Sequence, residues 1–189
     1  MRFKKFLVLF LSFLNKKKIN YCILRNYKNF PYSTSSKDID ILIDKKNLRQ
    51  INNFLLKNYH VTNFNERKNV VTYFITNILD GKKRALHLDL ITEISWKGLK
   101  YFSNHEIFKN SKIYQNNKVL KIPSNYHQAI ITLFSSYLIG GWIKMKYQSY
   151  TIRVFKSQRS KTINVLQNIA GEKLAIKIYN FNINKEYNQ

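Results

Sequence analysis

Apolar residues follow three different rhythms along this chain. From about Phe3 to Asn15 they crowd most sides of the segment, which predicts a helix that something must cover. Residues 20–24, NYCIL, predict a short strand. Residues 25–37 are polar, and Pro31 with the run Ser33, Thr34, Ser35, Ser36 marks a loop. Residues 38–43, DIDILI, then alternate strictly. Ile39, Ile41 and Ile43 point to one face, and Asp38, Asp40 and Leu42 to the other.

Leu48, Ile51, Phe54 and Leu55 return at helical spacing and predict a helix over 46–58. Residues 70–78 are β-branched and aromatic, Asp80-Gly81 is a turn signal, and residues 84–92 read as the returning strand of a hairpin. In that strand Leu86, Leu88 and Leu90 share the buried face, which leaves His87 and Asp89 on the polar one. Beyond Pro123 the rhythm is helical. Ser124 is a candidate N-cap, and an apolar stripe from Ala129 to Leu138 runs up to a break at Gly140-Gly141. A second helix is predicted over 163–178, before a polar, frayed end. The expected class is α+β: a small mixed or antiparallel sheet with flanking helices over residues 1–122, and a helical C-terminal region over 123–189 packed on it.

Composition changes this picture only in places. Hydrophobic residues make up 44% and aromatic residues 15%, enough for a core and unlike a disordered segment. Cys22 stands alone, so the chain has no internal disulfide and no thiolate zinc site; no disulfide-linked partner is expected, and a reducing, cytoplasmic setting fits. Arg2, Lys4 and Lys5 before the apolar run resemble a signal peptide. Against that, Lys16, Lys17 and Lys18 follow at once, no small-residue cleavage site appears, and the run is too short to span a bilayer. A packed first helix is the preferred reading, with attachment to a membrane periphery through its basic flanks as the alternative. The 33 basic residues against 10 acidic ones give a formal charge of +23. Such an excess suits a polyanion or an anionic membrane surface, and equally reflects codon usage favouring Lys, Asn and Ile.

The scarcity of acidic residues gives weight to Asp38 and Asp40. Two aspartates at i and i+2 on a strand project from one face, where their carboxylates can share a divalent cation. Asp89, on the polar face of another strand, can complete the set, and oxygen-only donors favour Mg2+ or Mn2+. A lone D-x-D is a weak signal; its place in an apolar alternating strand strengthens it. His87 could contact substrate or serve a structural hydrogen bond. His60, His105 and His127 lack metal-ligand spacing. Trp96 reads as a core anchor or a stacking surface, and Lys144, Lys146 and Tyr147 as a solvated helix face or a cleft lining.

The order of strand, loop, D-x-D strand, helix, hairpin and single strand aspartate resembles the nucleotidyltransferase superfamily typified by DNA polymerase beta. More narrowly, YCILRNYKNFPYSTSSKDIDILID and LHLDLITEISWKGLKYF resemble nucleotidyltransferase-like proteins of bacterial surface-polysaccharide gene clusters. The resemblance covers roughly residues 15–145 and implies that Asp38, Asp40 and Asp89 are the metal carboxylates. It departs at one point. Most active members carry a Gly-Gly or Gly-Ser pair after the first strand to hold the phosphates, and this chain has Leu24, Arg25, Asn26 and Tyr27. Arg25, Asn26 and Lys37 are the remaining candidates to meet a triphosphate.

The implied activity moves a nucleoside monophosphate from a nucleoside triphosphate to an unknown hydroxyl or phosphate acceptor, in a surface-polysaccharide setting. Asp38 and Asp40 would hold metal, and Asp89 would assist deprotonation of the acceptor. The alternative is a catalytically altered module of the same fold that binds nucleotide, a polyanion or a partner protein, including a partner of toxin–antitoxin type.

Overall fold

The structure, a computed structural model, describes residues 2–32, 38–78, 85–114 and 117–184. The chain divides into two compact units. One comprises residues 1–95 and 102–122, the other residues 96–101 and 123–189.

The first unit opens with α1 (Arg2–Lys16), whose Phe3, Phe6, Leu7, Phe10, Leu11 and Leu14 are buried. The apolar run is thus spent in the core, where each such side chain contributes roughly 1.5–3 kcal/mol. After α1 come β1 (Tyr21–Ile23), β2 (Asp38–Ile43), a 3-10 turn (Lys45–Asn47) and α2 (Leu48–Asn58). Phe13 stacks on Phe54 of α2 with ring centroids 3.9 Å apart, and Phe6 meets Tyr59 edge-on at 4.9 Å. No helix among the described residues is long and apolar enough to cross a membrane.

Three further strands follow: β3 (Val61–Arg67), β4 (Val70–Ile75) and β5 (Leu86–Ile91). The sheet order is β1-β2-β5-β4-β3, with β2 and β5 parallel and every other neighbouring pair antiparallel. A parallel pair needs a long crossover, which here consists of α2 and the β3–β4 hairpin. One sheet face carries Ile39, Ile41, Ile43, Leu86, Leu88, Leu90, Val71, Tyr73 and Ile75 into the same core as α1 and α2. The expected α+β class, with its mixed sheet, flanking helices and helical C-terminal part, is the observed one.

Strand β3 was not anticipated. Its residues VTNFNER lack apolar alternation and are almost all exposed, so the strand exists through its backbone pairing with β4 at the sheet edge. The expected Asp80-Gly81 turn lies outside the described residues, although β4 and β5 pair antiparallel as a hairpin requires. A small hairpin, β6 (Ser95–Trp96) and β7 (Leu99–Lys100), turns through Lys97 at φ 47° and Gly98 at φ 88°. Both turn residues have positive φ, as in a type I′ turn. Lys97 covers the Trp96 ring at 4.8 Å. Then come α3 (Asn104–Lys109), β8 (Lys112–Tyr114) and β9 (Asn117–Ile122), the last two paired antiparallel.

The second unit takes in residues 96–101 of the β6–β7 hairpin and four helices: α4 (Asn125–Gly140), α5 (Met145–Ser157), α6 (Arg159–Ala170) and α7 (Glu172–Asn184). Ser124 holds the N-cap position of α4, but its hydroxyl bonds His127 Nδ1 at 2.8 Å instead of a backbone amide. The predicted helix over 163–178 is two helices. Gly171, at φ 77°, breaks it between Ala170 and Glu172, and the apolar spacing on either side had masked the break. Helix α5 was also missed.

Tyr21 ties the first unit together. Its hydroxyl accepts from Asn15 Nδ2 at 3.0 Å and donates to the Val119 carbonyl at 2.6 Å, linking α1, β1 and β9. Burial pushes its phenol up to about 12. Tyr21→Phe leaves the Val119 carbonyl without that donor and is expected to cost about 1–2 kcal/mol in urea denaturation; an unchanged midpoint would show that the link is not stabilising.

Candidate metal and nucleotide site

The parallel ladder sets Asp40 directly beside Asp89 and Asp38 beside His87. On the other side of β5, Thr72 lies opposite Asp89 and Phe74 opposite His87. Two rows therefore cross the sheet, Asp40–Asp89–Thr72 and Asp38–His87–Phe74. Alternation along each strand sends both rows to the face away from the isoleucine and leucine core. Neighbouring strands lie roughly 4.8 Å apart, close enough for the carboxylates of Asp40 and Asp89 to repel each other.

Each carboxylate meets a partner that limits this repulsion. Asp40, only 2% exposed, faces Arg25. Arg25 Nε donates to Oδ2, and Nη2 lies 3.1 Å from Oδ1, a bidentate grip by a side chain that is itself 64% exposed. Burial still holds the Asp40 carboxyl above its ordinary 3.8. Arg25 pulls it back through its hydrogen bond and charge, and Asp89 and Asp38 push it further up. Thr72 Oγ1 donates to Asp89 Oδ1 at 2.6 Å and fixes that carboxylate. Asp38 Oδ1 lies 3.2 Å from His87 Nδ1, and the His87 ring meets Phe74 edge-on at 4.6 Å.

Arg25 reaches Asp40 because of how the chain leaves β1. The Leu24 amide donates to the Asp40 carbonyl at 2.9 Å, extending the β1–β2 pairing by one rung. The chain then turns, with Asn26 at φ 64° and its Nδ2 3.4 Å from the Asp38 carbonyl. Arg25 and Asn26, expected to meet phosphate, are here held against the aspartate strand. Lys37 lies outside the described residues. Thr72 was missed, although a lone threonine in the apolar segment VVTYFI on the Asp89 side was a usable signal.

Three carboxylates on one sheet face match in kind the oxygen donors of Mg2+ or Mn2+. Among the described residues, however, no group of three or more His, Cys, Asp or Glu stands ready to hold a metal ion, and both oxygens of Asp40 face Arg25. The donor set fits a hard divalent cation chemically; Arg25 would have to leave Asp40 for a cation to use that carboxylate.

No protein-family model matches the chain, and no curated protein matches it. Among solved structures, it is similar to a candidate nucleotidyltransferase from H. pylori at 10% identity and a TM-score of 0.42, over 98% of this chain and 97% of the other. It is also similar to JHP933 from Helicobacter pylori at 11% identity and a TM-score of 0.41, over 96% and 92%.

The raised Asp40 carboxyl fixes the sign of a pH dependence. The folded chain keeps this proton over a range in which the unfolded chain has lost it. The resulting stabilisation is complete below pH 3.8 and is lost as pH rises through the raised value. Asp40→Asn removes the dependence and should gain stability relative to wild type from acid to neutral pH. Arg25→Ala should cost about 1–3 kcal/mol at neutral pH and little in acid, where Asp40 is protonated. Urea denaturation across pH checks both; a cost for Arg25→Ala that does not vary with pH would mean that the guanidinium acts through packing alone.

Proposed function

We propose that this chain is a metal-dependent nucleotidyltransferase working at the carboxylate face of the sheet. The observation that supports this reading is the in-register pair Asp40–Asp89, with Asp38 two residues earlier on the same face. In this reading Asp38, Asp40 and Asp89 hold Mg2+ or Mn2+, which when bound supplies positive charge to the triphosphate and to the departing pyrophosphate. The acceptor hydroxyl attacks the α-phosphorus, the bond from that phosphorus to the bridging oxygen breaks, and pyrophosphate leaves. Asp89, oriented by Thr72, takes the acceptor's proton. Arg25, released from Asp40, turns its planar fork to the phosphates and takes over part of the work of the absent glycine pair. Asn26 and Lys37 lie close in sequence to the two ends of that loop and complete the phosphate contacts. The acceptor presents a hydroxyl or phosphate group, and a surface-polysaccharide intermediate fits the sequence resemblance.

A second reading is favoured by one observation, the occupation of both Asp40 oxygens by Arg25. In a binding module that keeps this pair permanently, nucleotide or polyanion is bound without metal.

Labelled nucleoside triphosphates incubated with the full chain, Mg2+ or Mn2+, and a cell extract as acceptor source separate the two. The enzyme yields labelled product and pyrophosphate, both abolished by chelation, and Asp89→Asn lowers the rate by about 100-fold or more. Nucleotide binding that ignores metal and survives Asp38→Asn, without pyrophosphate from any triphosphate, would overturn the enzyme in favour of the module.

A further inference from the structure

The second unit carries an apolar tip that the proposed chemistry does not use. From the end of α4 to the start of α5 the chain reads Ile139, Gly140, Gly141, Trp142, Ile143, Lys144, Met145. Ile139 is 76% exposed, Trp142 61% and Met145 73%, whereas Ile143 between them is buried and anchors the turn. Gly141, at φ 72°, donates its amide to the Tyr137 carbonyl at 3.0 Å and ends α4. A Cβ added at Gly140 or Gly141 would meet nothing within 4 Å, so the tip stands clear. Phe181 of α7, 52% exposed, lies edge-on to Tyr137 at 5.7 Å and extends the apolar surface by one ring.

Single exposed apolar residues are ordinary, but three large ones within seven residues concentrate apolar surface in water. The charge within the tip favours an anionic cover: Lys144 is exposed between Trp142 and Met145, and the unit that carries the tip has eight basic side chains against one acidic one, Glu172, over residues 123–184. Tryptophan at a polar–apolar boundary, aliphatic side chains beside it and lysine reaching outward match the layering of a lipid headgroup region. We propose that the α4–α5 tip docks on an anionic membrane surface, with Ile139, Trp142 and Met145 entering the headgroup region and Lys144 meeting the negative charge. Membrane attachment is thereby assigned to this tip and not to α1, whose Phe3, Phe6, Leu7, Phe10, Leu11 and Leu14 are buried and leave Leu9 as its one exposed large apolar residue among those described.

Vesicles of phosphatidylcholine, with and without phosphatidylserine, test this on the full chain. With Trp96→Phe in place, so that Trp142 reports alone, its emission should shift to the blue on the anionic vesicles and be quenched by brominated lipid. Binding should weaken as salt rises. The double variant Ile139→Ser, Trp142→Ser should lose about ten-fold or more in vesicle partitioning with an unchanged circular dichroism spectrum. Leu56→Ser, removing a 50% exposed leucine from α2, should bind like wild type. Equal binding by the double variant, or absence of binding, overturns the proposal. So does a blue shift without vesicles accompanied by a doubled mass in ultracentrifugation, which would mean that the tip covers a second copy. If the double variant fails to fold, quenching of Trp142 in the Trp96→Phe chain decides the matter alone.

Discussion

Two carboxylates placed side by side on neighbouring strands repel each other, and at Asp40 and Asp89 the backbone leaves little choice. The parallel β2–β5 ladder fixes the register, and the register is fixed in turn by Ile39, Ile41, Leu88 and Leu90, which must all enter the core. A slip of one residue would turn the aspartates into that core and the isoleucines out of it. The apolar face therefore holds the acidic face together. What remains is managed by neighbours: Arg25 grips Asp40, Thr72 holds Asp89, and His87 stands beside Asp38. Asp40 stays under strain in the electrostatic sense, with its carboxyl held up by burial despite the guanidinium. Such a group is costly to stability and is a common mark of a site kept for its chemistry.

Much of this was legible because it depends on alternation. DIDILI and LHLDLI each say which residues share a face, and that is enough to set Asp38, Asp40 and Asp89 on the polar side of two strands. The apolar density of α1 said that it needed cover, and Gly141 ended α4 where the glycine pair suggested. Other features depended on what periodicity does not carry. Strand β3 is an edge strand without an apolar face, and the break at Gly171 lies inside an apolar spacing that continues across it, whereas the apolar face of α5, with Ile152, Val154 and Phe155 buried, was present in the spacing and went unread. Alternation likewise did not foretell that Asp40 and Leu42 are buried as fully as the isoleucines beside them, because burial on the second face comes from whatever packs there. Nor did it foretell that Arg25 turns to Asp40, a contact between residues fifteen apart that exists only once β1 and β2 have paired.

The Arg25–Asp40 pair gives the proposed activity its character. A glycine-rich turn offers backbone amides to phosphate at all times, whereas an arginine side chain must be in one place or another. Here it neutralises the very carboxylate that a cation would use. In the proposed reading, cation and guanidinium compete for Asp40, and the arginine freed by the exchange is close in sequence to where the resemblance would put the phosphate loop. A bidentate pair with one solvent-facing partner can make this exchange more readily than a fully enclosed one.

That exchange is the central claim, and it is most directly tested by crystals of the full chain soaked in Mn2+ with a nucleoside triphosphate and measured at the manganese absorption edge. The account predicts an anomalous peak among the carboxylates of Asp38, Asp40 and Asp89, with Arg25 moved from Asp40 to the triphosphate. No manganese at the three aspartates, with Arg25 still bidentate on Asp40, would contradict it.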